Sequence, residues 1–166
     1  MLCNHPCCRS AFTLVEAVIS TVIVALMLAA ALNTVGASRL TQHRASLVSR
    51  GQLLAESLLS EVLRQSYQEP TDTPVFGREA GELATTRVNY DDVDDYHGWS
   101  ATPPTAQDGT TLANSTGWQQ AVSVAWVDPS HPQQVSATES GAKRVTVTIS
   151  YNGVPQASLV AVKTAN

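Results

Sequence analysis

The chain has 166 residues, which leaves room for one ordinary domain. A formal net charge of −4 and a pI near 5.4 offer none of the clustered basic surface that phosphate backbones attract, so nucleic acid is not the default partner. Hydrophobic residues make up an ordinary 43 %, but many of them crowd the start of the chain and leave a rather polar remainder.

Residues 1–11 read as a short polar leader. It carries Arg9 and all three cysteines, Cys3, Cys7 and Cys8. The spacing Cys-x3-Cys-Cys beside His5 matches no zinc pattern and is too short to close a coordination shell. An apolar run follows, and from Phe12 to Ser38 its single formally charged side chain is Glu16. As a helix at about 1.5 Å per residue, Phe12 to Val35 would extend roughly 36 Å, enough to cross a bilayer. An acid at mid-membrane costs about 2.5–3.5 kcal/mol, and less near an end, so Glu16 calls for a partner. Arg9 favours an orientation with the leader inside and the C-terminal part outside. Two plainer readings compete. One is an ordinary secretory signal cut near Ala29-Ala30-Ala31, although this run is longer than a signal core of about 7–15 residues and contains an acid. The other is a simple single-pass anchor.

The leader with its basic residue, the small residue Ala11, and Phe12-Thr13-Leu14-Val15-Glu16 opening the apolar run together resemble the class III signal of type IV pilins and type II secretion pseudopilins. That family usually has Gly at the place of Ala11. The resemblance implies that a prepilin peptidase cuts between Ala11 and Phe12 and methylates the new amino terminus at Phe12. It implies an inner-membrane helix with a periplasmic C-terminal part, later built into a filament. The implied partners are other pilin-like subunits, the prepilin peptidase and an inner-membrane assembly platform, with no cofactor. A cut after Ala11 would remove every thiol. It would also create a positive amino terminus four residues from Glu16, and pairing of this acid with a neighbouring subunit's terminus would set the assembly register, since opposite charges attract more strongly in a low-dielectric bundle.

Beyond the membrane run, which is taken as 12–38, an apolar stripe continues through Leu40, Leu47, Leu54, Leu58 and Val62. This spacing keeps one helix face apolar and predicts an amphipathic continuation over 39–69, with the helix ending near Tyr67 and Gln68-Glu69-Pro70. Such a helix would be about 84 Å long. Gly36 and Gly51 are its weak points, at roughly 1 kcal/mol each relative to Ala. Residues 70–118, rich in Thr, Asp, Gly and Pro, read as a connecting region with one short strand at Thr85–Tyr90. Over 119–166 the pattern alternates. Val122, Val124 and Trp126 share one strand face, and Val145, Val147, Ile149 and Tyr151 share another. Asn152-Gly153 supplies a tight turn into a return strand over 157–163. The expected fold class is α+β, with a long N-terminal helix whose second half packs on a small antiparallel sheet.

Candidate chemistry is sparse. Asp91-Asp92-Val93-Asp94-Asp95 is the densest acidic run, and Asp92 and Asp94 are calcium candidates. The spacing is not that of an EF-hand, so a solvated acidic loop is expected. His5, His43, His97 and His131 lie at no ligand spacing. No nucleophile elbow, zinc-protease motif or phosphate loop occurs, and catalysis is not expected. Trp99 and Trp118 flank the Pro-Thr-Asp loop, where they either pin it to the sheet or present a contact to another subunit. The expected function is a pilin-like structural subunit, a minor one, of a type IV pilus or type II secretion pseudopilus. The alternative is a signal-anchored periplasmic binding module.

Overall fold

A computed structural model of the chain describes residues 12–70 and 75–165. Its longest element is α1, Leu14–Arg64, a helix of 51 residues uninterrupted by proline. Contacts divide the molecule between Arg44 and Ala45. In the first unit every described residue is exposed. In the second, Gly51, Ala55, Leu58 and Val62 are buried, at alternating steps of four and three that keep them on one helix face.

That face packs on a five-stranded antiparallel sheet. The strands are β1 (Ser100–Ala101), β2 (Trp118–Asp128), β3 (His131–Val135), β4 (Ala142–Tyr151) and β5 (Val154–Thr164). Their order is β1-β2-β4-β5, with β3 paired separately to β2. Val122 stands opposite Val147, and Val124 opposite Val145. These four and Ile149 are buried, so the period-two pattern places its apolar face where the sequence directs it. Asn152 and Gly153 take the positive φ values of 48° and 79° that the β4–β5 turn requires.

Three expectations change and a fourth is extended. The buried stripe begins at Leu47, because Leu40 is 65 % exposed and lies in the first unit. The helix stops at Arg64, short of Tyr67, because the backbone of Ser66 is drawn into a bridge: its N–H donates to Asp91 O at 3.0 Å and its C=O accepts from Val93 at 3.1 Å. Thr85–Tyr90 forms consecutive turns rather than a strand, with Thr86 N–H donating to Leu83 O and Tyr90 N–H to Arg87 O. Arg87 lies inside, and the turns on either side of it bring its guanidinium to Glu61 on α1. Finally, Gly51, a weak point by helix propensity, is also a contact point. A Cβ there would come within 2.9 Å of Gln156 Cβ on β5, so the missing side chain sets how closely helix and strand approach.

The connecting region belongs to the core. Tyr90, Val93, Tyr96 and Trp99 are buried with the helix stripe and the sheet. Its own strand is β1, paired to β2 through Ser100 and Ala101.

Candidate functional site

In the first unit, α1 opens on Thr13. Thr13 Oγ1 accepts the N–H of Glu16 at 3.2 Å, and Thr13 O accepts that of Ala17 at 3.1 Å. Thr13-x-x-Glu16 is therefore a capping pattern, with the acid at the third helical position, where negative charge also complements the helix dipole. The signal is local, being legible in the Thr13-x-x-Glu16 spacing of the sequence alone. Phe12 precedes the helix and is exposed; Ala11 lies outside the described residues.

The helix contains a window long and apolar enough to cross a membrane, and none of that window is buried. A soluble core helix of this composition would be covered. Thr21 and Thr34 return their hydroxyls to the carbonyls of Val18 and Ala30 at 2.8 and 2.9 Å, which removes much of their polar cost in an apolar surrounding.

The second unit holds two buried ion-pair networks. Arg87 is 1 % exposed. Its Nε and Nη2 donate to the two carboxylate oxygens of Glu61 on α1 at 2.7 and 3.1 Å, and Nη1 donates to Thr105 Oγ1 at 3.2 Å. The guanidinium lies over the Trp99 ring at 4.1 Å, while Tyr96 Oη donates to Glu61 Oε1 at 3.0 Å. Trp99 Nε1 donates to Ala84 O at 3.0 Å. Trp118 is buried against Tyr151, with the Arg50 guanidinium above its ring. Trp99 thus pins the connecting region within this unit, through Ala84 and Arg87, whereas Trp118 packs between β4 and α1. Trp126 keeps the face of Val122 and Val124 but is only half-buried, covered by Phe76 at 4.6 Å between ring centres.

Lys143 centres the second network. Its Nζ donates to Asp94 Oδ1 and to Tyr67 O, and lies 3.8 Å from Asp92 Oδ2. Asp92, Asp94 and Asp95 are all buried, which overturns the expectation of a solvated loop. The run folds on itself. Asp92 Oδ1 accepts the N–H groups of Asp94 and Asp95 at 2.7 and 3.3 Å, and Asp95 Oδ2 accepts those of Asp91 and Asp92 at 3.0 and 3.1 Å. For the calcium candidates Asp92 and Asp94, the nearby cation is an ammonium. One ammonium does not neutralise two carboxylates, and burial, reinforced by Asp94, pushes Asp92 up to about 8 against the opposing pull of Lys143.

Beside this network Glu79, Glu82 and Asp95 bring carboxylate oxygens within 4.8 Å of one another. Burial pushes Glu82 up to about 8, and the Asp95 carboxylate adds to it. Of the histidines, His97 Nδ1 accepts the N–H of Val124 at 3.2 Å, His131 meets Asp128, His43 is exposed and His5 lies outside the described residues.

Lys143, Lys163, Glu61 and Arg87 were missed as inward charges. Lys143 falls at period two with Val145 and Val147, and Lys163 at period two with Ala161 and Leu159, so the strand pattern alone assigns both to the inner face.

The fold is thus an α+β unit of helix on antiparallel sheet, joined through α1 to an exposed helix compatible with a membrane span. No family model, curated protein or solved structure matches the chain.

Proposed function

We propose that the chain is a pilin-like structural subunit, a minor one, of a type IV pilus or type II secretion pseudopilus. The observation that carries this reading is the first unit: a capped helix start with Glu16 at its third position, followed by a wholly exposed apolar run. Each exposed Leu, Ile or Val is worth about 1.5–3 kcal/mol if covered. A lipid bilayer followed by the matching helices of sister subunits supplies that cover in turn. The second unit is held together by its own core and ion pairs, so it can stay folded while the first exchanges one apolar surrounding for another.

In this reading a prepilin peptidase cuts between Ala11 and Phe12 and methylates Phe12 in the inner membrane. An assembly platform then moves the subunit into a filament on the periplasmic side. The function is structural and not catalytic. Intact-mass measurement of the chain from its native membrane tests it: loss of residues 1–11 with one added methyl group supports the proposal. An uncut chain favours a signal-anchored binding module, and a new terminus near Asn33 or Ser38 favours an ordinary secretory signal.

A further inference from the structure

The first unit, which closes at Arg44, ends on a basic stretch that no part of the fold consumes. Arg39, His43 and Arg44 are exposed, and their side chains make no hydrogen bond or ion pair among the described residues. From Ala17 to Ala55 the chain holds no acid, so neither arginine has a carboxylate three or four residues away, the spacing at which charges pair on a helix. Residues 45–166, by contrast, carry thirteen acidic against seven basic residues, and most of the buried cations there are matched to acids or carbonyls. Unmatched positive charge is thus gathered at one place on an acidic chain.

A second observation concerns where that place falls. The exposed apolar window lies immediately before it on the same helix. Arg39 stands four residues beyond Val35, about 6 Å further along the helix axis, and the polar layer on each side of a bilayer's hydrocarbon is about 5–7 Å deep. Side chains on a helix tilt toward its N-terminus, so those of Arg39, His43 and Arg44 tilt back toward the apolar run. Arg39 and His43, four residues apart, share a helix face, and Arg44 flanks them. A guanidinium forks onto two oxygens of a phosphate, and the imidazole N–H adds a further donor.

We propose that Arg39, His43 and Arg44 bind the phosphodiester of an anionic phospholipid at the surface where α1 leaves the bilayer. An anionic headgroup supplies the negative charge that the neighbouring sequence lacks, and its acyl tails lie along the apolar run. A zwitterionic headgroup carries its own ammonium and offsets the attraction, so the site discriminates by net lipid charge. Binding rests on the membrane span of the proposed function, but on neither the cut after Ala11 nor entry into a filament.

The test uses the full chain reconstituted in vesicles of phosphatidylcholine alone and of phosphatidylcholine mixed with phosphatidylglycerol. Resistance to carbonate extraction reports insertion, and native mass spectrometry after release in mild detergent reports the lipids retained. Phosphatidylglycerol is expected to be retained above its share of the mixed bilayer. Arg39→Gln and Arg44→Gln should each lower that enrichment roughly fivefold, and the double variant should bring it close to the bulk share. Arg64→Gln, at an exposed arginine of the second unit, should leave it unchanged. Circular dichroism of the Arg39 and Arg44 variants should match wild type, since neither side chain has a partner to lose. A chain that resists extraction but retains the two lipids in bulk proportion overturns the headgroup site and leaves the span standing. Extraction from both kinds of vesicle removes the span and the site together. Enrichment that persists in the double variant overturns the assignment to these residues. Enrichment abolished by sodium phosphate, and not by sodium chloride of equal ionic strength, overturns the lipid in favour of a free phosphate.

Discussion

Lys143 and Lys163 stand directly opposite each other across β4 and β5. Two like charges in that position ordinarily repel. Here each is consumed near the end of α1: Lys163 Nζ donates to Leu63 O and Gln65 O at 2.9 and 2.6 Å, and Lys143 Nζ reaches Tyr67 O and Asp94. The sheet thereby satisfies carbonyls that a helix end leaves without partners and sets positive charge at the negative end of the helix dipole.

The two lysines differ in what their loss exposes. Lys143→Met leaves buried carboxylates without their cation and is expected to cost about 3–5 kcal/mol, whereas Lys163→Met loses only bonds to carbonyls near the surface and should cost about 1 kcal/mol. Urea unfolding of a fragment beginning at Arg39 measures both. Equal costs would mean that the Asp92–Asp94 pair does not depend on Lys143.

Arg87 and Glu61 form the second test of buried charge. Arg87→Met should destabilise the same fragment by about 3–5 kcal/mol, because it strands Glu61 beneath the connecting region. The double variant Arg87→Met/Glu61→Met should recover much of that loss. If the double variant is as unstable as the sum of the singles, packing of the guanidinium on Trp99 and Thr105 outweighs its charge.

The pH response follows from Asp92. Its ordinary value of 3.8 is pushed up to about 8 by burial, so between those values the folded chain holds a proton that the unfolded chain has released. Stability contributed by that proton is present at low pH and is lost as pH rises toward about 8. The thermal midpoint of the same fragment should therefore fall between about pH 5 and pH 8; Glu82, also pushed up to about 8, acts in the same direction, so Asp92→Asn should reduce the slope and Asp92→Asn with Glu82→Gln should reduce it further. A midpoint that rises over this interval would contradict the assignment.

Gly51 and Gly36 separate helix propensity from packing. Gly51→Ala gains about 1 kcal/mol of propensity but drives a Cβ to 2.9 Å from Gln156 Cβ, and overpacking of that kind costs about 1–3 kcal/mol. A net loss is expected, and a larger one for Gly51→Leu, in thermal melts of the fragment. Gly36→Ala meets nothing within 4 Å and should raise helicity in micelles without other effect.

Glu16 has two accounts, a helix-start residue and a register residue for assembly. Glu16→Leu is expected to insert in the membrane and to be cut, yet to enter filaments poorly. Glu16→Gln retains a polar side chain suited to the third helical position but lacks the charge, so it should share the assembly defect. Pull-down of filaments at matched expression measures this. Normal incorporation of Glu16→Gln would leave only the helix-start role.

The helix, the β2–β4–β5 sheet and the Asn152-Gly153 turn were legible because periods of 3.6 and 2 and a positive-φ dipeptide are local signals. The connecting region was not. Its conformation follows from partners distant in sequence: Arg87 from Glu61, Asp94 from Lys143, and Phe76 from Trp126. A polar, turn-rich stretch with buried charges reads as a loop until those partners are placed. The acidic run misled for the same reason, since nothing local distinguishes aspartates that face water from aspartates that face a lysine on another strand.

The unbroken helix α1 passes from residues that are all exposed before Leu47 to a packed face beginning at Gly51. Substitution tolerance should invert between the apolar run that ends at Ser38 and that packed face. In the apolar run up to Ser38, under the proposed function, shape is free and polarity is constrained: Val, Leu, Ile and Ala interchange, while Lys or Asp is rejected. From Gly51 on, polarity on the outer face is free and size on the inner face is fixed, so Gln52 and Glu56 accept almost any residue while Gly51 and Ala55 accept almost none. A saturation scan read along this one helix would display two different alphabets of permitted residues, separated by the exposed polar stretch from Arg39 to Ser46.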